Sequence, residues 1–285
     1  MNISKWITTE NEELWLTEED RDNLKISYRV KEIICEEQSP FQHLMIVDLF
    51  DFGPSLILGG VVQTTSFDGH IYNEMITHIP LVTYPNPQKV LIIGGGDCGA
   101  AREVAKYKEI ERIDMVEIDE AVVRLCKQYM PEVSGNLSDP RVNFIFADGI
   151  EYVKAAQNEY DVIIIDSSDP VGPAVGLFHK EFYANVKKAL KQDGIMVCQS
   201  ESPLFYVQTL NNTRKSLKEI FQITHTYLAV VPTYPGGFWS FTLASDKHDP
   251  LIGQREWDKE AKYVNEGIVK SCFVLPGFIR NELDK

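Results

Sequence analysis

Six acidic residues stand at the ends of the buried strands predicted for the second part of the chain: Asp97, Glu117, Asp148, Asp166, Asp169 and Glu201. Ligands of an open parallel sheet bind beyond the carboxyl ends of its strands, so these side chains are expected to face one cleft. Carboxylates grouped in this way could bind a metal ion, act as acid and base, or hold ammonium groups. The chain has six histidines and none falls at these strand ends, which disfavours a transition-metal site.

Asp166 and Asp169 lie three residues apart in the stretch DSSDPVGPA, at the end of a strongly apolar strand. Capping of a following helix explains one acidic residue but not both. The chain carries 28 Lys and Arg against 42 Asp and Glu, a formal net charge of −14. This excess repels a nucleic-acid backbone and attracts cations, so no nucleic-acid partner is expected and ammonium binding is favoured.

The stretch GGGDCG matches the pattern G-x-G-x-x-G at Gly94, Gly96 and Gly99, and Glu117 follows 20 residues after Asp97. This spacing indicates a nucleoside whose ribose hydroxyls are bound by Glu117. A dinucleotide would place its pyrophosphate beside Asp97, and two such charges at about 4 Å repel by about 1 kcal/mol even in water. A sulfonium adenosine therefore suits the turn better than NAD. Asp148 suits the adenine amine, with capping of a helix as the alternative.

The chain is predicted to fold as two parts. From Leu24 to Ile71, alternating apolar and polar positions with Gly, Pro and Asp breaks predict short antiparallel strands. A helix is predicted at YNEMITHIPLVTY, and from Lys89 strands alternate with helices, which is typical of a Rossmann-like α/β sheet. Two late strands complete the sheet, and the end from Trp257 to Leu283 is expected to be largely helical. The predicted domains are residues 1–70 and 71–285.

The composition places the protein among globular proteins of a reducing compartment. The chain has 285 residues, 44% of them apolar, which suffices for a large core in one or two domains. Its five cysteines are scattered and include no C-x-x-C pair, so neither disulfides nor a zinc site are expected. No signal peptide and no apolar run of about 18 residues is seen, so a cytoplasmic location without membrane contact is expected.

Several motifs together resemble the spermidine synthase family of aminopropyltransferases: IIGGGDCGAAREV, MVEIDEAVV, DPRVNFIFADGIEYV, YDVIIIDSSDPVGPAVGLF and PTYPGGFWSF. The segments LILGGVVQTT and IYNEM resemble that family's N-terminal β domain and its junction. The resemblance covers nearly the whole chain. It implies an α/β fold with a Rossmann-like sheet of the S-adenosylmethionine-dependent methyltransferase type behind a small antiparallel β domain. It also implies transfer of an aminopropyl group from decarboxylated S-adenosylmethionine to putrescine, giving spermidine and methylthioadenosine.

The resemblance implies a role for each site residue. Donor-binding residues would be Gln42, Gln63, Asn73, Gly94, Gly96, Asp97, Glu117, Asp148, Gly149 and Asp166. Acceptor-binding residues would be Tyr72, Asp166, Asp169, Tyr234 and Glu201. Asp166, Tyr72 and Asp97 would be catalytic, with Asp166 taking the proton of the attacking amine. No metal and no cofactor is implied, since the decarboxylated donor is a co-substrate, and a homodimer or homotetramer is expected.

The sequence departs from the family pattern at Gly59, Asn73 and Cys98, and at the pair Gly69-His70. Asn73 is shorter than the family's usual His or Gln, which bears on contact with the donor's aminopropyl arm. Cadaverine or agmatine as acceptor, and a catalytically silent polyamine-binding homologue, remain alternatives. A methyltransferase on the same fold and an NAD-dependent dehydrogenase are weaker ones, because Asp97 would oppose their anionic ligands.

Overall fold

The computed structural model describes residues 4–135 and 137–283. Its first part is a six-stranded antiparallel sheet in which each strand pairs with the next along the chain. The strands are β1 (Ile7–Glu10), β2 (Glu13–Arg21), β3 (Leu24–Gln38), β4 (His43–Leu49), β5 (Gly53–Leu58) and β6 (Val61–Thr65). The sequence predicts strands only from Leu24 onward, so β1 and β2 are additions. Strand β2 was not predicted because its inward-facing residues include the acidic Glu18 after Leu16, which interrupts the alternation of apolar and polar residues expected of a strand.

Helix α1 (Gly69–Thr83) follows the small sheet and is almost entirely buried. It begins three residues earlier than the sequence predicts and continues through Pro80. Met75, Ile76 and Ile79 pack into the same core as Ile92 and Ile164 of the larger sheet. This helix therefore fixes Tyr72 and Asn73, on its first turn, against the larger sheet.

The second part is a seven-stranded sheet. Its strands are β7 (Lys89–Gly94), β8 (Arg112–Glu117), β9 (Val142–Phe146), β10 (Tyr160–Asp166), β11 (Leu190–Gln199), β12 (Ile223–Val230) and β13 (Phe238–Ser245). Their spatial order is β12-β13-β11-β10-β7-β8-β9, with β7 to β11 parallel and β13 antiparallel to both neighbours. The order reverses at β7, so the crevice beyond β7 is where a ligand is expected.

Helices cover both faces of the larger sheet. They are α2 (Gly99–Val104), α3 (Glu120–Tyr129), α4 (Pro131–Ser134), α5 (Gly149–Ala155), a 3-10 helix (Gly172–Phe178), α6 (Lys180–Ala189) and α7 (Val207–Lys218). Alternate residues of the buried strands enter different cores: Ile92 and Ile164 lie on one side, Ile93 and Ile165 on the other. Burial on both faces explains the continuous apolar runs in the sequence.

The C-terminal region is less helical than the sequence predicts. Among residues 258–283, helix is confined to α8 (Glu266–Ser271) and α9 (Gly277–Leu283), and irregular chain precedes and separates them. The irregular part is held by Glu74 of α1, whose carboxylate accepts hydrogen bonds from the backbone N–H groups of residues 262, 263 and 264. These contacts replace the hydrogen bonds that a helix would make. No helix in the described part of the chain is long and apolar enough to span a bilayer.

Candidate active site

One cavity of about 220 Å³ opens at the carboxyl ends of β7, β8, β10 and β11, where the small sheet meets the large one. Every site residue predicted from the sequence except Asn73 lines it: Gln42, Gln63, Tyr72, Gly94, Gly96, Asp97, Glu117, Asp148, Gly149, Asp166, Asp169, Glu201 and Tyr234. The structure thus brings together residues that span some 190 positions of the sequence.

The glycine turn after β7 passes directly against the end of β10. The N–H of Gly95 donates to the carbonyl oxygen of Asp166 at 2.8 Å. A Cβ atom at Gly94 would lie 2.2 Å from that same oxygen, and φ at Gly94 is +81°. Glycine is required here because both the backbone conformation and the close approach exclude a side chain. The turn thereby fixes Asp166 next to Asp97.

Asn73 lies behind Asp97 and not on the cavity wall. Its Nδ2 donates to Asp97 Oδ2 at 3.0 Å, while the N–H of Gly99 donates to Asp97 Oδ1 at 2.8 Å. The pKa of Asp97 is nevertheless raised, because burial outweighs these two hydrogen bonds. The structure thus gives Asn73 a contact with Asp97, where the resemblance implies one with the donor.

Glu117 closes the β8 side of the cavity. Its Oε1 accepts the N–H of Asp119 at 2.9 Å, and a Cβ atom at Gly96 would come within 3.1 Å of its Oε2. Burial raises the pKa of Glu117 to about 7. Asp148 caps α5 through the N–H of Ile150 at 2.8 Å, and it also lines the cavity. Asp148 therefore caps α5, as the alternative predicts, and lines the cavity as well.

Asp166, the last residue of β10, lines the cavity. Burial, followed by the negative charge of Asp97, raises its pKa to about 8, although the neighbouring Tyr72 hydroxyl acts in the opposite direction. Within the described residues, no Lys, Arg or His forms an ion pair with Asp97, Asp166, Asp169 or Glu201. These carboxyl groups line the cavity, and the charge of Arg102, which lowers the pKa of Asp97, does not outweigh the effect of burial there.

Aromatic side chains form the wall opposite the glycine turn. The rings of Tyr72 and Tyr234 meet edge to face with centroids 6.0 Å apart, and those of Tyr234 and Trp239 lie 4.5 Å apart. The Tyr234 hydroxyl donates to the carbonyl oxygen of Gln63 at 2.7 Å. Asp68 fixes the same wall, because its carboxylate accepts the N–H of Thr233 at 2.7 Å. The wall offers apolar surface suited to a methylene chain.

Two acidic residues of the cavity escape the sequence prediction. Glu18 and Asp20 of β2 line the cavity beside Asp169 and Glu201. Burial raises the pKa of Glu18 to about 7. A signal was present in the sequence, since Leu14, Leu16, Glu18 and Asp20 alternate on one side of a strand. This alternation predicts that Glu18 and Asp20 face inward only once β2 is known to be a strand.

Cys98, one of the departures from the family pattern, is fully buried at the start of α2 with φ of +66°. Burial and the neighbouring Asp97 raise the pKa of its thiol. A protonated, inaccessible thiol is a poor nucleophile, so Cys98 acts as a small buried residue. No group of three or more His, Cys, Asp or Glu among the described residues is arranged to hold a metal ion.

Comparison with known proteins agrees with this geometry. A family model described as the spermine/spermidine synthase domain matches residues 69–253, and one described as the spermidine synthase tetramerisation domain matches residues 14–66. The chain is 49% identical to a polyamine aminopropyltransferase of Thermoanaerobacter sp. (strain X514), over 96% of this chain and 99% of that protein. It is 45% identical to that of Bacillus subtilis, over 94% and 98%.

Solved structures give the same result. A spermidine synthase in complex with the transition-state analogue AdoDATO superposes with a TM-score of 0.89, 38% identity and 92% coverage of both chains. The spermidine synthase of Thermotoga maritima gives a TM-score of 0.86 and 36% identity, over 92% of this chain and 91% of that one. With both sheets matched by family models and relatives nearly half identical along almost the entire chain, the protein belongs to the spermidine synthase family of polyamine aminopropyltransferases.

Proposed function

We propose that this enzyme transfers the aminopropyl group of decarboxylated S-adenosylmethionine to putrescine, giving spermidine and methylthioadenosine. The observation that carries the proposal is the row of buried carboxyl groups without protein cations that runs through one cavity beside Asp97 and Asp166. Decarboxylation leaves the donor with a sulfonium and an ammonium and no anion, and putrescine is a dication at neutral pH. Both substrates thus complement this charge.

In this proposal the donor lies across the glycine turn. Glu117, Gln42 and Gln63 hold the ribose and its neighbouring atoms, and Asp148 and Gly149 meet the adenine. Gly94 and Gly96 leave room for the nucleoside, while Asp97, positioned by Asn73, attracts the ammonium of the aminopropyl arm. The hydrogen bond of Asn73 and the short distance of the Gly99 N–H support this orientation of Asp97.

The acceptor lies along Tyr72 and Tyr234, with its reacting nitrogen beside Asp166. An alkyl ammonium has a pKa near ~10.4, so removing its proton at pH 7 costs roughly 4 to 5 kcal/mol. Asp166 takes that proton, and the neighbouring Tyr72 hydroxyl favours the charged form of Asp166. The nitrogen lone pair then forms the new carbon–nitrogen bond while the carbon–sulfur electrons pass to sulfur. The leaving group is a neutral thioether, so the step needs no general acid and no cofactor.

The remaining acceleration comes from alignment and from exclusion of water. Nitrogen, carbon and sulfur must lie in line, which the buried wall of Tyr72, Tyr234 and Trp239 supports by confining a methylene chain. The 3-10 helix Gly172–Phe178, whose Pro173 and Ala174 line the cavity, acts as its cover.

The family match over residues 14–66 supports assembly of the chain as a homodimer or homotetramer, and the five free cysteines fit a reducing cytoplasm.

The test is product formation with a panel of acceptors. The enzyme is incubated with decarboxylated S-adenosylmethionine and, separately, putrescine, cadaverine, agmatine or spermidine, and methylthioadenosine and the aminopropylated amine are quantified by mass spectrometry. We expect putrescine to give the highest kcat/KM. A higher value for another amine would reassign the acceptor, and the absence of methylthioadenosine with every amine would support a silent polyamine-binding homologue. Carboxylated donor serves as the control and should give no methyl or aminopropyl transfer.

A further inference from the structure

Asp119, the residue that precedes α3, lies behind the nucleoside end of the cavity. It is 1% exposed, and its neighbours Glu117 and Ile118 line the cavity. Asp119 is the N-cap of α3, because its Oδ1 accepts the N–H of Ala121 at 3.2 Å. Its backbone N–H donates to Glu117 Oε1 at 2.9 Å. Capping occupies one carboxylate oxygen, so Oδ2 can accept hydrogen bonds from other parts of the chain.

This second oxygen of Asp119 holds the turn between β3 and β4 of the small sheet. It accepts the hydroxyl of Ser39 at 2.7 Å and Nε2 of Gln42 at 3.1 Å. Oγ of Ser39, a buried residue, in turn accepts the N–H groups of Phe41 and Gln42, each at 3.1 Å. Asp119 therefore fixes both the backbone of this turn and the side chain of Gln42, although Asp119 and Gln42 are 77 positions apart in the sequence.

These contacts decide which end of the Gln42 amide meets a ligand. A carboxylate accepts hydrogen bonds and cannot donate them, so only the NH2 group of Gln42 can pair with Asp119. The carbonyl oxygen Oε1 is then the end left for the cavity that Gln42 lines. Glu117 is arranged in a similar way, since its Oε1 takes the N–H of Asp119 and its Oε2 lies toward the glycine turn at Gly96. Two acceptor groups, one from each sheet, are thus oriented through Asp119.

We propose that Asp119 is a positioning residue of the nucleoside site, which turns the Gln42 carbonyl oxygen into the cavity as a second acceptor for the ribose diol beside Glu117. The inference rests on the proposed function, because that function places the donor's ribose at these two residues. Each free ribose hydroxyl donates one proton, so a pair of acceptors selects a diol. A ribose phosphate, which brings acceptors and negative charge, is disfavoured. Asp119 touches no ligand itself and acts through Gln42.

Calorimetric titration of two nucleosides tests this role. Methylthioadenosine and its 2′,3′-dideoxy form, which lacks both hydroxyls, are titrated into wild type and Asp119→Asn. The substituted amide keeps an oxygen for the cap but turns its NH2 toward the Gln42 amide, which must then rotate and present its own NH2 to the ribose. We expect methylthioadenosine to bind the variant about tenfold more weakly, and the dideoxy form to bind it within about twofold of wild type.

Asp139→Asn is the matched control. Asp139 Oδ1 also accepts the N–H of the residue two positions on, Arg141, at 2.9 Å, and Asp139 lies outside the cavity wall. Both nucleosides should bind this variant as they bind wild type. Combining Asp119→Asn with Gln42→Ala supplies a second check, since Asp119→Asn should cost methylthioadenosine little affinity once the Gln42 amide is absent.

The outcomes separate this inference from the function on which it rests. Equal weakening of both nucleosides by Asp119→Asn would mean that Asp119 only supports the fold, which overturns the positioning role while aminopropyl transfer stands. Equal affinity of wild type for both nucleosides would overturn the diol contact, and the acceptor panel then still decides on transfer. Should Asp119→Asn not fold, Gln42→Glu replaces it. A carboxylate that faces Asp119 without a donor between them should weaken methylthioadenosine binding by about tenfold or more, and unchanged affinity counts against the inference.

Discussion

The side-chain amide of Asn73 donates a hydrogen bond to Asp97 Oδ2 across 3.0 Å and so joins the first turn of α1 to the glycine turn after β7. A Cβ atom at Gly99 would lie 2.0 Å from Asn73 Nδ2, so the absence of a side chain at Gly99 makes room for this amide. Asp97 is thereby held by a donor on each oxygen. Asn73 acts through Asp97 and is a positioning residue.

Replacing Asn73 by Ala should weaken binding of decarboxylated S-adenosylmethionine about tenfold, since one hydrogen bond to a charged group is lost. Methylthioadenosine lacks the aminopropyl ammonium, so its affinity should be unchanged. Calorimetric titration of both ligands against wild type and Asn73→Ala checks the difference. An equal loss for the two ligands would mean that Asn73 supports the nucleoside site as a whole.

Replacing Asp166 by Asn should lower kcat by about 10²- to 10⁴-fold, because the variant has no carboxylate to accept the amine proton. Single-turnover measurement with saturating donor and putrescine gives the chemical rate. Binding of methylthioadenosine should be retained, since Glu117 and Asp148 are untouched. The exposed Asp258, paired with its neighbour Lys259, offers a matched control, and Asp258→Asn should leave kcat unchanged. A wild-type rate in Asp166→Asn would assign the proton to another group.

The pH dependence of kcat/KM for the acceptor should have its acid limb below pH 8. The pKa of Asp166 is about 8 before the donor binds, because burial and Asp97 disfavour its charge. A bound sulfonium and ammonium favour the charged carboxylate, so they move the pKa down. The rate should rise with pH through this lowered value and fall above ~10, where the amine loses its charge. The measurement is made at saturating donor. An acid limb with an apparent pKa above 8 would show that the bound donor does not lower the pKa of Asp166.

The buried acids should make the protein less stable as the pH rises. The pKa values of Asp166 and Glu201 are about 8 and about 9, above the ordinary values of 3.8 and 4.5. Between those values the folded chain binds more protons than the unfolded chain, so the free energy of unfolding falls with pH, by at most about 1.4 kcal/mol per unit for each group. Thermal unfolding without added ligand from pH 5 to 9 tests this. Glu201→Gln should have a smaller slope than wild type and a higher Tm at pH 9.

Glu74 anchors the irregular C-terminal region to α1. Its carboxylate accepts three backbone N–H groups, at 2.8 to 2.9 Å. Glu74→Gln leaves one acceptor oxygen and turns an NH2 group toward N–H donors, so it should lower the free energy of unfolding by roughly 3 kcal/mol. Glu266→Gln, which removes one half of an exposed pair with Lys270, should leave the free energy of unfolding nearly unchanged. Denaturant unfolding of the two variants compares them, and similar losses would contradict the anchoring role.

Much of the site could be read from local patterns. Parallel strands bring their carboxyl ends to one edge of the sheet, whatever the details of packing. The position of the cavity could therefore be predicted from the GGGDCG turn, from Glu117 at 20 residues after Asp97, and from the acidic residues at the strand ends. Glu18 and Asp20 could not be read in this way. They belong to the other sheet, and their place beside Glu201 depends on how the two parts of the chain pack.

The sequence by itself determined that antiparallel strands precede an α/β sheet, and it determined the glycine turn and the acidic character of the cleft. These features depend on periodicity, on conformations open only to glycine, and on charge. Only the tertiary structure decided that Asn73 donates a hydrogen bond to Asp97, and that Asp169 and Glu201 line one cavity with Glu18 and Asp20 of the other sheet. The physical reason is that the hydrogen bonds and pKa values of the site depend on burial and on the distances between residues remote in sequence. No short stretch of chain determines the burial or those distances.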